Sequence, residues 1–231
     1  MALLRDVLPA GVDGSPLLAE ALTHRSAGSR HNERLEFLGD SILGLIIAEF
    51  LHAEFGSATE GDLSRLRASL VNRETLAGIA RELRLGELLQ LGQGEMKSGG
   101  HRRESTLADA LEAVIAAVYL THGLAATRDF VVRVYGARLQ TLPDAEELKD
   151  PKTRLQEVLQ GRNLAVPEYD IVEVTGKAHN QHFRAVCRVP ELAVEAEGEG
   201  TSRRKAEQAA AVAVLSAMRE AGALKRSARS T

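Results

Sequence analysis

The run Asn32-Glu33-Arg34-Leu35-Glu36-Phe37-Leu38-Gly39-Asp40 carries three carboxylates at helical spacing. At about 100° per residue, Glu33, Glu36 and Asp40 fall within one stripe of an α-helix. Leu35, Phe37, Leu38, Ile42, Leu43, Ile46 and Ile47 cover most of the remaining surface, so the acids project from a helix that is otherwise largely packed. Like charges at this spacing repel, and a nearby cation would offset the cost. A second acidic pair, Asp109 and Glu112, opens the apolar run Leu107 to Ala117. If the two helices pack together, Glu36, Asp40, Asp109 and Glu112 can converge on one point. An all-oxygen set of this kind suits a hard cation such as magnesium, which takes few protein ligands and keeps waters for a substrate.

Each cluster has a simpler alternative. Asp109 can be the N3 partner of Thr106 at a helix start, and Glu33 and Glu36 can be ordinary first-turn acids after an Asn32 cap. The same applies to Glu60, which stands just before Leu63-Ser64-Arg65-Leu66. Two acidic clusters on two apolar helices together outweigh the alternatives for Glu33, Glu36 and Asp109, though neither does so alone; for Glu60 the simpler reading stays strong.

The segment from Asn32 to Ser41 resembles the signature of ribonuclease III, the double-stranded RNA endonuclease family, and Glu60-Gly61-Asp62 and Leu107-Ala108-Asp109-Ala110-Leu111-Glu112-Ala113 resemble its other acidic motifs. The resemblance runs from about Leu17 to the end of the terminal helix. It implies an α+β chain of two domains, an all-α catalytic domain over residues 1–142 and an α-β-β-β-α double-stranded RNA-binding domain over 150–221; the residues themselves read as a linker over 143–149 and a disordered tail over 222–231. It further implies a magnesium-dependent endoribonuclease that leaves 5′-phosphate and 3′-hydroxyl ends and processes structured precursor RNA, ribosomal and messenger. Asp40, Glu112, Glu33 and Glu60 are then the catalytic and supporting acids, and Glu36, Asp40, Asp109 and Glu112 the metal ligands. Phe37 matches an aromatic that inserts into the partner subunit of a homodimer; its alternative is an ordinary core phenylalanine.

The linker, Leu142-Pro143-Asp144-Ala145-Glu146-Glu147-Leu148-Lys149, is polar and acidic. Asp150-Pro151 then reads as an N-cap acid before an N1 proline, with Leu155, Val158 and Leu159 as the apolar stripe of the helix it opens. Strand patterns follow at Tyr169 to Val174, Phe183 to Val189 and Ala193 to Glu197, and an alanine-rich helix from Arg203 to Met218. Gly198-Glu199-Gly200-Thr201-Ser202-Arg203-Arg204-Lys205 resembles the most characteristic motif of the RNA-binding domain. Independently of that resemblance, three cations in a first helical turn oppose the macrodipole unless an anion such as phosphate shares the site. Thr153, Gln156 and Glu157 match first-helix positions that in the family touch minor-groove sugars, and His179 matches the loop that enters the next minor groove. Glu207 departs from the family, where many members carry lysine.

Composition bounds this reading. The net charge of −3 hides an asymmetry: residues 1–150 carry 16 Lys and Arg against 22 Asp and Glu, whereas residues 151–231 carry 13 against 10. An acidic half precedes a basic one. A single cysteine, Cys187, excludes an intramolecular disulfide, argues against cysteine-held zinc and fits a reducing cytoplasmic setting. The apolar run Ile42 to Ala48 is too short to span a membrane, and Met1 to Asp6 lacks the pattern of a secretory signal. Aromatics at 3% leave few stacking platforms for single strands, which favours duplex RNA. No phosphate-binding glycine loop, Ser/His/Asp arrangement or organic-cofactor motif is apparent. The loop Lys97 to Arg103 is basic enough to guide an RNA backbone. A duplex-RNA-binding regulator that keeps the nuclease fold without cutting is the competing function.

Overall fold

The computed structural model describes residues 3–177 and 180–220, so the tail expected over 222–231 lies outside the described residues. The chain forms two compact units, Met1–Leu148 and Lys149–Thr231. The first is helical: α1 (Leu4–Val7), α2 (Pro16–Ala21), α3 (Glu33–Glu54), α4 (Glu60–Val71), α5 (Arg73–Glu82), α6 (Gln93–Lys97) and α7 (Glu104–Tyr135). Local chemistry sets several starts. Ser15 Oγ accepts from Leu18 N ahead of α2, with Pro16 at the first position. Thr59 and Asp62 form a reciprocal capping box at α4, and Asn72 Oδ1 accepts from Thr75 N at α5.

The core of this unit is the first half of α7. Between Thr106 and Val118 only Asp109 and Glu112 escape full burial, and the helix packs on α3 and α5. Its apolar length would pass for a membrane span by composition, but its residues are the centre of a packed helical unit. Gly123 breaks the helix at φ +76°, a left-handed value that glycine adopts without a Cβ penalty, so the chain runs as two helical pieces joined at a kink.

The segment expected as a linker does more than connect. Leu142, Ala145 and Leu148 pack against the first core, and Arg65 Nε donates to the Ala145 carbonyl at 3.3 Å.

The second unit is α8 (Pro151–Gln160), β1 (Glu168–Thr175), β2 (His182–Val189), β3 (Val194–Gly200) and α9 (Arg203–Glu220). The strands form an antiparallel sheet in the order β1-β2-β3, with Tyr169 opposite Cys187 and Cys187 opposite Ala196. Alternation along β2 sends Cys187 and Val189 into a core with Leu155, Leu159, Ala210, Ala211, Val214 and Met218. Arg184 and Arg188 lie on the other face, each among acids of β1 and β3. Glycines let β3 lie tight against α9: a Cβ at Gly198 would fall 2.0 Å from Ala210 N. The expected α+β organisation, a helical domain followed by α-β-β-β-α, is the one observed.

Candidate active site

α3 and α7 cross where Gly39 meets Glu112. A Cβ at Gly39 would lie 1.9 Å from the Glu112 carbonyl oxygen, so only glycine permits this approach. The close contact brings the two acidic stripes together. Carboxylate oxygens of Glu36, Asp109 and Glu112, all half-buried, lie within 4.8 Å of one another. Asp40 is exposed and stands outside that trio, yet of the neighbouring acids it is the one whose charge acts most on Glu112. The capping alternative for Asp109 is not what the helix shows: α7 begins at Glu104, which leaves Asp109 inside it.

The electrostatics follow from this crowding. Burial first, then the charges of Asp40, Glu36 and Asp109, push Glu112 up to about 8. Glu36 is raised by burial, then by Asp109, Glu33 and Asp40, against a lowering by Arg25. Asp109 is raised by burial against the lowering charges of Arg73, His24 and Arg25. Carboxylates that resist ionising together gain most from a divalent cation among them. The donor set, oxygen only and spaced to share one ion, fits a hard metal.

In the metal-free protein this crowding makes stability depend on pH. The Glu112 carboxyl sits above its ordinary 4.5, so its contribution is fully present below that pH and lost as pH rises towards about 8. Relative to Glu112→Gln, the wild type should lose roughly 1–3 kcal/mol between pH 5 and 8, after allowance for solvent screening. Urea midpoints of both proteins in chelator across that range measure the difference; parallel curves would contradict it.

Glu33 is turned to Arg25, 3.2 Å from Nη1, and lies 3.8 Å from His31 Nδ1. Glu60 is in the first turn of α4 and accepts from Ser64 Oγ at 2.7 Å; it is not part of the trio. Phe37 is 78% exposed, which rules out the core alternative. Sequence reasoning missed Arg25, Arg73 and His24, whose charges bear on Asp109. They come from a loop and a neighbouring helix start, and no spacing in the chain ties them to the acids.

In the second unit, Thr153, Gln156 and Glu157 are exposed on α8, opposite the buried Leu155 and Leu159. Glu157 accepts from Lys149 Nζ at 2.7 Å. His179 lies outside the described residues. Arg203, Arg204 and Lys205 are exposed in the first turn of α9, where Ser202 Oγ accepts from Lys205 N. Arg204 also reaches Asp150, at 3.0 Å, and Gln208 Nε2 donates to the same carboxylate at 2.8 Å. Glu207 pairs with Lys152, whose ammonium lies 4.3 Å from the centre of the Tyr169 ring. The departure at Glu207 therefore ties α9 to α8.

Residues 15–139 match the Ribonuclease-III-like family model, and residues 151–218 match the double-stranded RNA binding motif. The chain belongs to the ribonuclease III family. Ribonuclease 3 of Idiomarina loihiensis is 53% identical over 204 residues, covering 88% of this chain and 89% of that protein. Ribonuclease 3 of Methylococcus capsulatus is 56% identical over 201 residues, 87% of each. The nuclease domain of ribonuclease III from Campylobacter jejuni superposes with a TM-score of 0.53 at 42% identity, covering 55% of this chain and 87% of that one. A second structure of that domain, described as flexible in a region involved in dimer formation, gives 0.51 at 45% identity, covering 51% and 83%. This ribonuclease III is thus an endoribonuclease with a module for duplex RNA. Family membership implies a divalent metal cofactor, and the trio between α3 and α7 has the donors for one.

Proposed function

We propose that this ribonuclease III is a magnesium-dependent endonuclease that hydrolyses both strands of duplex RNA to 5′-phosphate and 3′-hydroxyl ends. The observation that carries the reading is the convergence of Glu36, Asp109 and Glu112 across the Gly39 contact. These three would hold the ion, with Asp40 as the fourth carboxylate at its exposed side. Bound there, the ion would supply positive charge against the phosphate and lower the pKa of water. The protein's own part is to fix the acids and to keep the site open on one side, as Asp40's exposure allows. Glu33 and Glu60 serve as supporting acids. Structured precursors of ribosomal and messenger RNA are the proposed substrates. The direct test incubates uniformly labelled duplex RNA with the protein, with and without magnesium, and assays the product ends. Fragments with 5′-phosphates only in magnesium support the reading; binding without cleavage in magnesium would favour the silent regulator.

Duplex selection belongs to the second unit, which reads A-form shape and ribose hydroxyls. Exchanging Arg203 and Arg204 for Ala should weaken binding to all duplex RNAs alike and make the salt dependence shallower by about 1–2 in log–log slope. An unchanged slope in a filter-binding series would remove both from the phosphate contacts.

The enzyme is further proposed to act as a homodimer, with one active site for each strand. Phe37, large, apolar and 78% exposed, is the anchor. Phe37→Ala should weaken association by about 2–4 kcal/mol, so that sedimentation at low concentration finds monomers with intact helical signal. A wild type that is monomeric, or a variant dimer as tight as the wild type, would contradict this role.

A further inference from the structure

Arg25 is on neither acidic helix. It sits in the connection between α2 and α3, a stretch that would ordinarily be loose, yet the backbone around it is pinned on two sides. His24 N donates to the Gln90 carbonyl and Gln90 N to that of Leu22, both at 2.9 Å, which makes a parallel bridge at Thr23. Gly92 N donates to Ser26 Oγ at 2.9 Å, and a Cβ at Gly92 would fall 2.3 Å from the Ser26 carbonyl oxygen. From the other side, Asn32 N donates to the Thr23 carbonyl at 2.9 Å. The chain is therefore fixed immediately before and after Arg25.

The side chain is 70% exposed and its Nη1 meets Glu33 at 3.2 Å. A guanidinium has five N–H donors in a planar fork matched to phosphate, and this contact uses one of them. Its charge bears on Glu36 of α3 and on Asp109 of α7 alike. It therefore lies beside the place where the two helices bring their acids together. The charge of Glu36, Asp40, Asp109 and Glu112 would exceed that of one divalent ion and leave negative charge in the path of an RNA phosphate, so a cation at this rim meets a physical need.

We propose that Arg25 is a phosphate-binding residue of the active site and that Glu33 acts as a positioning residue by holding it. This rests on the nuclease reading and deepens it. Glu33, an acid of the signature helix, then needs no contact with the metal: its carboxylate is turned to Arg25, and it stands outside the trio.

The test uses the full chain and the variants Arg25→Ala, Arg25→Lys, Glu33→Gln and the double Arg25→Ala with Glu33→Gln. Single-turnover cleavage of a duplex RNA in magnesium should fall on the order of 100-fold for Arg25→Ala, and Arg25→Lys should recover part of that loss. Glu33→Gln should cost about 10-fold alone and nothing further on the Arg25→Ala background, as expected of residues acting as a unit. In calcium, without cleavage, the log–log salt slope of duplex binding should become shallower by about one for Arg25→Ala. Manganese affinity of the RNA-free protein should be unchanged or higher. Wild-type cleavage by Arg25→Ala, or an unaltered salt slope, would overturn the role for Arg25. A loss of manganese affinity as large as the loss of cleavage would make Arg25 a builder of the metal site instead, and additive losses would release Glu33 from it. A wild type that binds duplex RNA and never cuts would defeat the nuclease reading, while the calcium salt slope would still judge Arg25.

Discussion

Glu112→Gln should lower cleavage of duplex RNA by roughly three orders of magnitude with little change in RNA affinity. The substitution keeps the shape and hydrogen-bonding capacity of a side chain that is among the most crowded acids of the protein, pushed up to about 8 by burial and by Asp40, Glu36 and Asp109. It removes one of the charges that would hold the ion. The exposed residues proposed for duplex binding, Arg203, Arg204 and Lys205, belong to the second unit and are untouched. Asp40→Asn should act in the same direction, and calcium, larger and less exacting in geometry, should support binding better than cutting. Gel-shift and single-turnover assays on one labelled duplex separate the two effects. Wild-type cleavage by both variants at limiting magnesium would remove the carboxylates from the proposed site.

Gly39→Ala should be as damaging by a different route. The added methyl would meet the Glu112 carbonyl oxygen at 1.9 Å, and that atom is backbone inside α7, so no rotamer relieves the clash. α3 and α7 must move apart, at a cost of about 1–3 kcal/mol for overpacking. The carboxylates move with them. A displacement on the order of 1 Å is enough to cost about 100-fold in rate, so cleavage should fall even where the variant still folds. Gly44 lies in the same helix, and a Cβ there would meet nothing within 4 Å; Gly44→Ala should be neutral or stabilise α3 by up to about 1 kcal/mol. Denaturation midpoints and cleavage rates of the pair give the comparison. Equal behaviour of the two variants would mean that the close helix contact does not position the site.

What the chain discloses without its structure is largely what local periodicity can encode. Glu36 with Asp40, and Asp109 with Glu112, sit at helical spacing among apolar residues, and that pattern carries both the helices and their acidic stripes. The same holds for Asp150-Pro151 as a helix start and for the alternation in β2. Contacts between distant segments are another matter. Nothing in the residues beside Gly39 says which backbone it faces, and Gly123 does not announce a kink within a continuous apolar run. The acidic stretch Leu142 to Lys149 looks like a tether because its charges dominate, while Leu142, Ala145 and Leu148 are spaced to pack on the first core. Arg25 and Arg73 approach the acids through tertiary structure alone. Arg204, whose place in a basic first turn suggests phosphate binding, also pairs with Asp150, 54 positions earlier. For Phe37, the sequence leaves core and interface open, and exposure alone decides against the core.

The acids of α3 and α7 are the proposed site of the activating ion. Calorimetric titration of the RNA-free protein with manganese, which favours the same oxygen donors, tests it at pH 7 in two buffers of different ionisation enthalpy. Glu112 is pushed up to about 8 in the metal-free protein and must ionise to serve as a ligand. The wild type should bind manganese with release of close to one proton, and Glu112→Gln should bind far more weakly and release none. Manganese binding of equal affinity and equal proton release in the two proteins would contradict it.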